Sequence, residues 1–209
     1  MAVPMIGGVL LLGSILLIGL LLGWGLGGSL RNLAHVRVGL WFLFPVALLL
    51  QAIPIPQGGS GPARYLPFAV LEFSYLVLVV AVAANWRLRG FRLILLGLLL
   101  NVIPITVNLG MPVSGSAVAE VGGDVNDVPR TPGSKHHLAT AEDQLTFLGD
   151  VIPVREPFRT VVSVGDLVMY VGAAWFLTAA MLGVPSQEPR IRTRPGHRLQ
   201  PSTMWESPR

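Results

Sequence analysis

Six polar or ionisable side chains, Asn101, Asn108, Lys135, His136, Asp150 and Asp166, fall within a short stretch of an otherwise apolar chain. Imidazole titrates near neutral pH, so His136 can take or give a proton, and a carboxylate beside it, Asp150 or Asp166, completes an acid–base pair. The neighbouring Lys135, His136 and His137 invite a metal reading. Consecutive residues point in different directions, however, and no second histidine stands at a zinc-like spacing, so no metal site is assigned. A cation meeting a carboxylate or an anionic headgroup suits Lys135 and His136 better. A solvated basic patch is the plainer alternative.

The elements that position these groups follow from composition. Of 209 residues, 52% are hydrophobic and 12% charged, and the mean hydropathy is +0.64. A soluble domain carries about 25% charged residues. This is the composition of a membrane protein. Cysteine is absent, which removes disulfides, thiolate metal ligands and cysteine nucleophiles. There is no phosphate-binding glycine loop, no nucleophile elbow and no zincin motif, so no cofactor is assigned.

Five apolar stretches read as transmembrane helices: residues 5–22, 38–53, 66–84, 91–109 and 161–184. Together they make residues 1–185 one polytopic membrane domain of the all-α class. Gly19, Gly23 and Gly27 share one face of the first span, where a second helix can approach closely. Residues 186–209 form a basic tail without apolar periodicity, and disorder is expected there. Its place directly after a span points to anionic lipid rather than nucleic acid.

Basic residues set the orientation. Arg31, Arg37, Arg87, Arg89, Arg92 and the arginine tail all belong to one side, expected to be the cytoplasm of a plasma-membrane protein. Trp24, Trp41 and Trp86 mark the same level. The N-terminus and the long loop, residues 110–160, then lie outside. That loop carries four basic and seven acidic residues, a net of −3.

Within the loop, Thr140 and Asp143 match the spacing that starts a helix. Leu145, Leu148 and Ile152 follow at three- and four-residue steps. Residues 141–149 are therefore expected to form an amphipathic cap helix over the external ends of the spans.

The runs Asn108-x-Gly110-Met111-Pro112-Val113, Lys135-His136, Leu145-x-x-Leu148-Gly149-Asp150-x-Ile152-Pro153 and Ser163-x-Gly165-Asp166 resemble a bacterial five-span membrane family. It is catalogued as domain-of-unknown-function family 5317. The likeness extends over nearly the whole chain, with its distinctive motifs confined to this loop and its flanks. The family often has Gly where this chain has Leu109. The resemblance implies an integral membrane protein with this loop as its signature, and no activity.

Four further placements complete the expected site. Glu72, inside the third span, is either a ligand contact or a structural hydrogen bond. Asn101 and Asn108 are seven residues apart and share a helix face; they line a polar cavity or bond to neighbouring helices. Ser163 and Asp166 form a capping box, or turn a carboxylate into the mouth of the bundle. Met111 stands in the signature run. The expectation is one external pocket holding Asn108, Met111, His136, Asp150, Ser163 and Asp166. Lys135 is placed at its rim and Glu72 at its floor, and Asn101 is counted among the ligand-binding residues. Its occupant is a small molecule or lipid, in a sensor or accessory role, with a membrane-protein partner as a further possibility. The alternative is a membrane enzyme using His136 with Asp150 or Asp166 on a lipid-soluble substrate. A transporter is disfavoured by the lack of an evident inverted repeat.

The orientation has a direct test. With no native cysteine, Ser116→Cys should react with an impermeant maleimide in intact cells and Ser202→Cys should not. Equal access at both, or access only at Ser202→Cys, reverses the assignment.

Overall fold

The computed structural model describes residues 2–56, 61–130 and 132–184. The expected basic tail lies outside them. Helix α1 is Ala2–Gly25, followed by a short α2, Leu30–Leu33. Then come α3, Leu43–Ala52, α4, Leu66–Ala84, and α5, Phe91–Asn108. The long loop holds β1, Met111–Val113, the short helix α6, Gly115–Glu120, and β2, His136–Leu138. It closes with β3, Ile152–Val154, and β4, Thr160–Val162. The last helix is α7, Val164–Met181.

Among the described residues four helical segments, not the expected five, are long and apolar enough to cross a membrane: Gly7–Gly25, Gly61–Ala84, Phe91–Asn108 and Val164–Met181. The expected second span is only the ten-residue α3. Ten residues reach about 15 Å, half of a bilayer's hydrocarbon core. The reasons are local. Pro45 has no amide to extend the helix backward, Leu40 sits at a left-handed φ of 50°, and Pro54 and Pro56 stop the far end. The segment nonetheless runs the length of its neighbour. Gly39 exchanges two 2.7 Å hydrogen bonds with the Asn85 side chain at the C-terminal end of α4. At the other end, the carbonyls of Gln51 and Ile53 accept from Lys135 in the long loop, at 2.6 and 2.9 Å.

The bundle therefore has a basic end and a loop end. Helices α1, α4 and α7 finish at the basic end, and α5 starts there. The Met181 carbonyl at the end of α7 accepts from the Ser29 amide at 2.9 Å and from Asn32 Nδ2 at 2.6 Å. At the loop end, the Phe68 amide near the start of α4 donates to Gly133 at 3.0 Å.

Helix α5 is central, packed on α4 on one side and α7 on the other, with α1 against the outer flank of α7. Phe91 makes edge-to-face contacts with Phe44 and Phe176, centroids 6.4 and 5.0 Å away. A Cβ on Gly165 would collide with Asn101 Oδ1 and the Gly97 carbonyl, so glycine is what lets α5 and α7 touch. The expected stripe on α1 is partly realised. Gly19 and Gly23 pack on Ala174 and Met181 of α7, whereas Gly27 leaves the helix at a φ of +85° with open space around it. Large apolar side chains such as Leu17, Leu76 and Val171 point outward, as lipid-facing positions require.

The protein is predominantly helical, as an all-α membrane protein is expected to be, but the loop has no cap helix at residues 141–149. The Thr140–Asp143 pattern does form its local bonds: the Asp143 carboxylate accepts from the Thr140 amide at 2.7 Å. The chain then turns away. Leu145 takes a left-handed φ of 52° and only a single 3-10 turn, Thr146–Leu148, follows. The amide of Gln144 is bonded by Asn108 Oδ1 and its carbonyl by Asn108 Nδ2, both at 2.8 Å, so this backbone is claimed by α5 rather than by a helix of its own. Leu145 stays exposed, and Leu148 and Ile152 are only half-buried. Two short strand pairs replace the helix: β1 parallel to β2, and β3 antiparallel to β4.

Candidate functional site

Strand β1 is the hub of the loop. Leu109 ends α5 at φ 54°, ψ 41°, the left-handed cap position that glycine occupies most easily. From there Met111–Val113 runs with β2 on one flank, Met111 opposite His136 and Pro112 opposite His137. Asp150 docks on the other flank. Its amide donates to the Pro112 carbonyl and its carbonyl accepts from Ser114, both at 2.9 Å. One three-residue strand thus brings together two side chains far apart in sequence. His136 Nε2 lies 3.8 Å from Asp150 Oδ2, an electrostatic contact just beyond direct hydrogen bonding.

Beneath this pair is a cavity of about 210 Å³. Its lining comes from nearly every part of the loop end. Helix α4 supplies Leu71 and Tyr75, α5 Asn101 and Ile105, and α7 Asp166 and Tyr170. Gly8 of α1, Gln51, Met111, His136, Asp150 and the β4 residues complete it. The cavity dips between the helices, because Tyr170 is almost two turns into α7 and Tyr75 more than two turns into α4.

A closed hydrogen-bond network forms one wall. Asn101 Nδ2 donates to Asp166 Oδ1 at 2.8 Å, and Ser163 Oγ donates to Asn101 Oδ1 at 2.8 Å. Ser163 and Asp166 also form the capping box read from their spacing: the Asp166 amide donates to Ser163 Oγ at 2.9 Å, and the Ser163 amide to Asp166 Oδ2 at 3.0 Å. Asp166 therefore serves as a cap and as a wall of the cavity at once. Ser163 is fully buried behind it.

The electrostatics favour neutral forms above the network. Burial pushes the Asp150 carboxyl well above the usual carboxylate range, and the nearby Asp166 pushes it the same way. The His136 ring, although half its side-chain surface is open, is crowded by protein. Burial disfavours its cationic form. The Asp166 charge opposes this, Lys135 and His137 reinforce it, and the net pKa is lowered. A carboxylic acid and an imidazole that both lean neutral make a proton donor facing a proton acceptor.

Other residues expected in the pocket are engaged elsewhere. Asn108 is buried and holds Gln144. Lys135 caps the C-terminal carbonyls of α3, where a cation is favoured. Glu72 is not at the floor; its Oε1 accepts from Thr106 at 2.8 Å across the α4–α5 seam. His137, the buried middle residue of β2, pairs with Asp143 at 3.0 Å. Burial works against the Asp143 charge, but the Thr140 amide and His137 outweigh it and hold the carboxyl below its ordinary range. Among the described residues no three His, Asp or Glu side chains gather as a metal site.

Tyr75, Tyr170 and Gln51 were not placed at the site from sequence. The signal for the tyrosines was available: a phenol inside a lipid span needs a partner or a polar space, just as a carboxylate does.

A membrane bundle roofed by short strands, with a polar cavity beneath, is the class that fold and site define. The chain belongs to the family described as a family of unknown function, DUF5317, whose profile matches residues 35–178. It is similar to an uncharacterised protein of Thermotoga maritima, 27% identical over 171 residues, which covers 80% of this chain and 86% of that one. No solved structure matches.

The raised pKa of Asp150 carries a pH prediction. The folded protein holds this proton more tightly than the unfolded chain, so stability is lost as pH rises from about 4 through the raised value. Asp150→Asn stays neutral throughout. Its stability relative to the native protein should therefore improve steadily as pH rises across that window, measured by thermal unfolding in detergent. A difference independent of pH contradicts the assignment.

Proposed function

We propose that this chain is a multi-pass protein of the bacterial plasma membrane whose cavity binds a small molecule or a lipid headgroup, in a sensor or accessory role. In this reading the loop end and the N-terminus face outward and the basic end faces the cytoplasm. The observation that carries it is the cavity itself. His136, Asp150, Asp166, Tyr75 and Tyr170 all face one space between helices. A region serving only stability fills its interior and pairs its polar groups internally.

Size and charge narrow the occupant. Water takes about 30 Å³ in the liquid, and drug-sized pockets begin near 300 Å³. A cavity of about 210 Å³ suits a small ligand or part of a larger one. Asp166 repels anions. Phenols, imidazole and carboxyl groups offer both donors and acceptors. A neutral or cationic molecule rich in hydroxyl or amine groups fits best.

A second reading rests on the His136–Asp150 contact. In a membrane enzyme, Asp150 gives a proton to the substrate and His136 takes one.

Untargeted mass spectrometry of protein purified in mild detergent tests both. The native chain and Asp124→Asn, altered far from the cavity, should retain a common low-mass species, and His136→Gln should lose about tenfold of it, the effect of one charged or well-made hydrogen bond. Equal retention in native, His136→Gln and Asp150→Asn protein overturns the binding site. Accumulation of an unaltered species in Asp150→Asn, with a chemically changed one in the native protein, selects the enzyme.

A further inference from the structure

At the basic end, a second depression of about 510 Å³ lies between α5 and α7, lined by Arg89, Gly90, Arg92, Leu93 and Trp175. Its floor exists because α5 and α7 touch there: a Cβ on Gly90 would strike the Gly172 carbonyl. Two guanidinium groups flank that floor. Among the described residues neither has a carboxylate partner. Arg89 Nε is buried without a hydrogen-bond partner, and nothing inside the fold neutralises this guanidinium. An anion in the depression supplies the missing counter-charge.

Three further features point to the same ligand. Helix α5 begins here with no side-chain cap and no acidic residue in its first turn, leaving its positive end uncompensated. No acidic residue occurs before Glu72, and none lies within residues 85–92, so the local chain offers no counter-charge. The guanidinium of Arg92 sits 4.9 Å above the Trp86 ring, and Trp175 is half-exposed on α7. Tryptophans mark the headgroup level of a bilayer. Below the depression, the exposed Leu96 and Val171 continue an apolar track along both helices.

We propose that this depression seats the phosphate of an anionic phospholipid. Arg89 and Arg92 donate to the phosphate oxygens, in the forked geometry arginine provides, and an acyl chain follows the α5–α7 seam over Leu93 and Leu96. The site is separate from the cavity at the loop end and does not depend on what that cavity binds.

The test uses the full chain in neutral detergent, with phosphatidylglycerol, phosphatidylcholine or inorganic phosphate added, and reads lipid adducts by native mass spectrometry together with the thermal midpoint. Phosphatidylglycerol should bind and raise the midpoint, and phosphatidylcholine should do so far less. Arg89→Gln and Arg92→Gln should each weaken phosphatidylglycerol binding about tenfold. Arg31→Gln, a charge lost from the same end but outside the depression, should leave it unchanged. Arg92 is exposed, so Arg92→Gln keeps the test open if Arg89→Gln fails to fold. Equal binding of both lipids, or equal losses in Arg31→Gln and Arg92→Gln, overturns the site. If inorganic phosphate alone reproduces the full shift, the lipid assignment is wrong.

Discussion

Polar side chains inside a lipid-facing bundle have no water to fall back on, and the arrangement of this protein follows from how that demand is met between α5 and α7. Asn101 is nearly inaccessible, with both ends of its amide used: the nitrogen on Asp166, the oxygen on Ser163. The glycines at 97 and 165 bring the helices close enough for those bonds. The same bonds hold Asp166 at the lip of the bundle, where its carboxylate becomes both the cap of α7 and a wall of the cavity. A single joint thus sets helix spacing, the start of the last span and the charge beneath His136 and Asp150.

The loop is fastened to this frame by the motif residues that a functional reading would claim first. Asn108 holds the backbone of Gln144, Lys135 caps α3, and His137 with Asp143 pins the segment after β2. Each anchors the loop at one point. What remains for chemistry is the pair that β1 aligns, His136 and Asp150, with two phenols below. The division has a physical logic. A binding group must be held to a fraction of an ångström, and here the holding is done by strand pairing and by neighbouring polar residues rather than by the pair itself.

The apolar runs and the Ser163–Asp166 box were legible in sequence because both signals are local: hydropathy over one helix, and a three-residue spacing. Gly19 and Gly23 were legible for the same reason. The loop was not. Strands of three residues carry no periodicity, and their pairing joins Met111 to His136 and Val113 to Asp150 across long stretches of chain. The Thr140–Asp143 signal was real yet misleading, since its local bonds formed and the helix they announce was overruled by Asn108. In the same way, apolar composition suggested a full span at residues 38–53, and the backbone constraints at Leu40 and Pro45 cut it to ten helical residues.

The claim that the Asn101–Asp166 joint organises the loop end is tested most directly by a double-mutant cycle. Asn101→Ala, Asp166→Ala and the double variant would be unfolded reversibly in lipid or mixed micelles and their stabilities compared. Hydrogen bonds between membrane helices couple by about 0.6 kcal/mol on average and up to about 1.7 kcal/mol. A joint that also caps a helix and sets its spacing should reach the upper part of that range. Strictly additive losses would mean that the two residues act independently, and that the loop end is held together by something else.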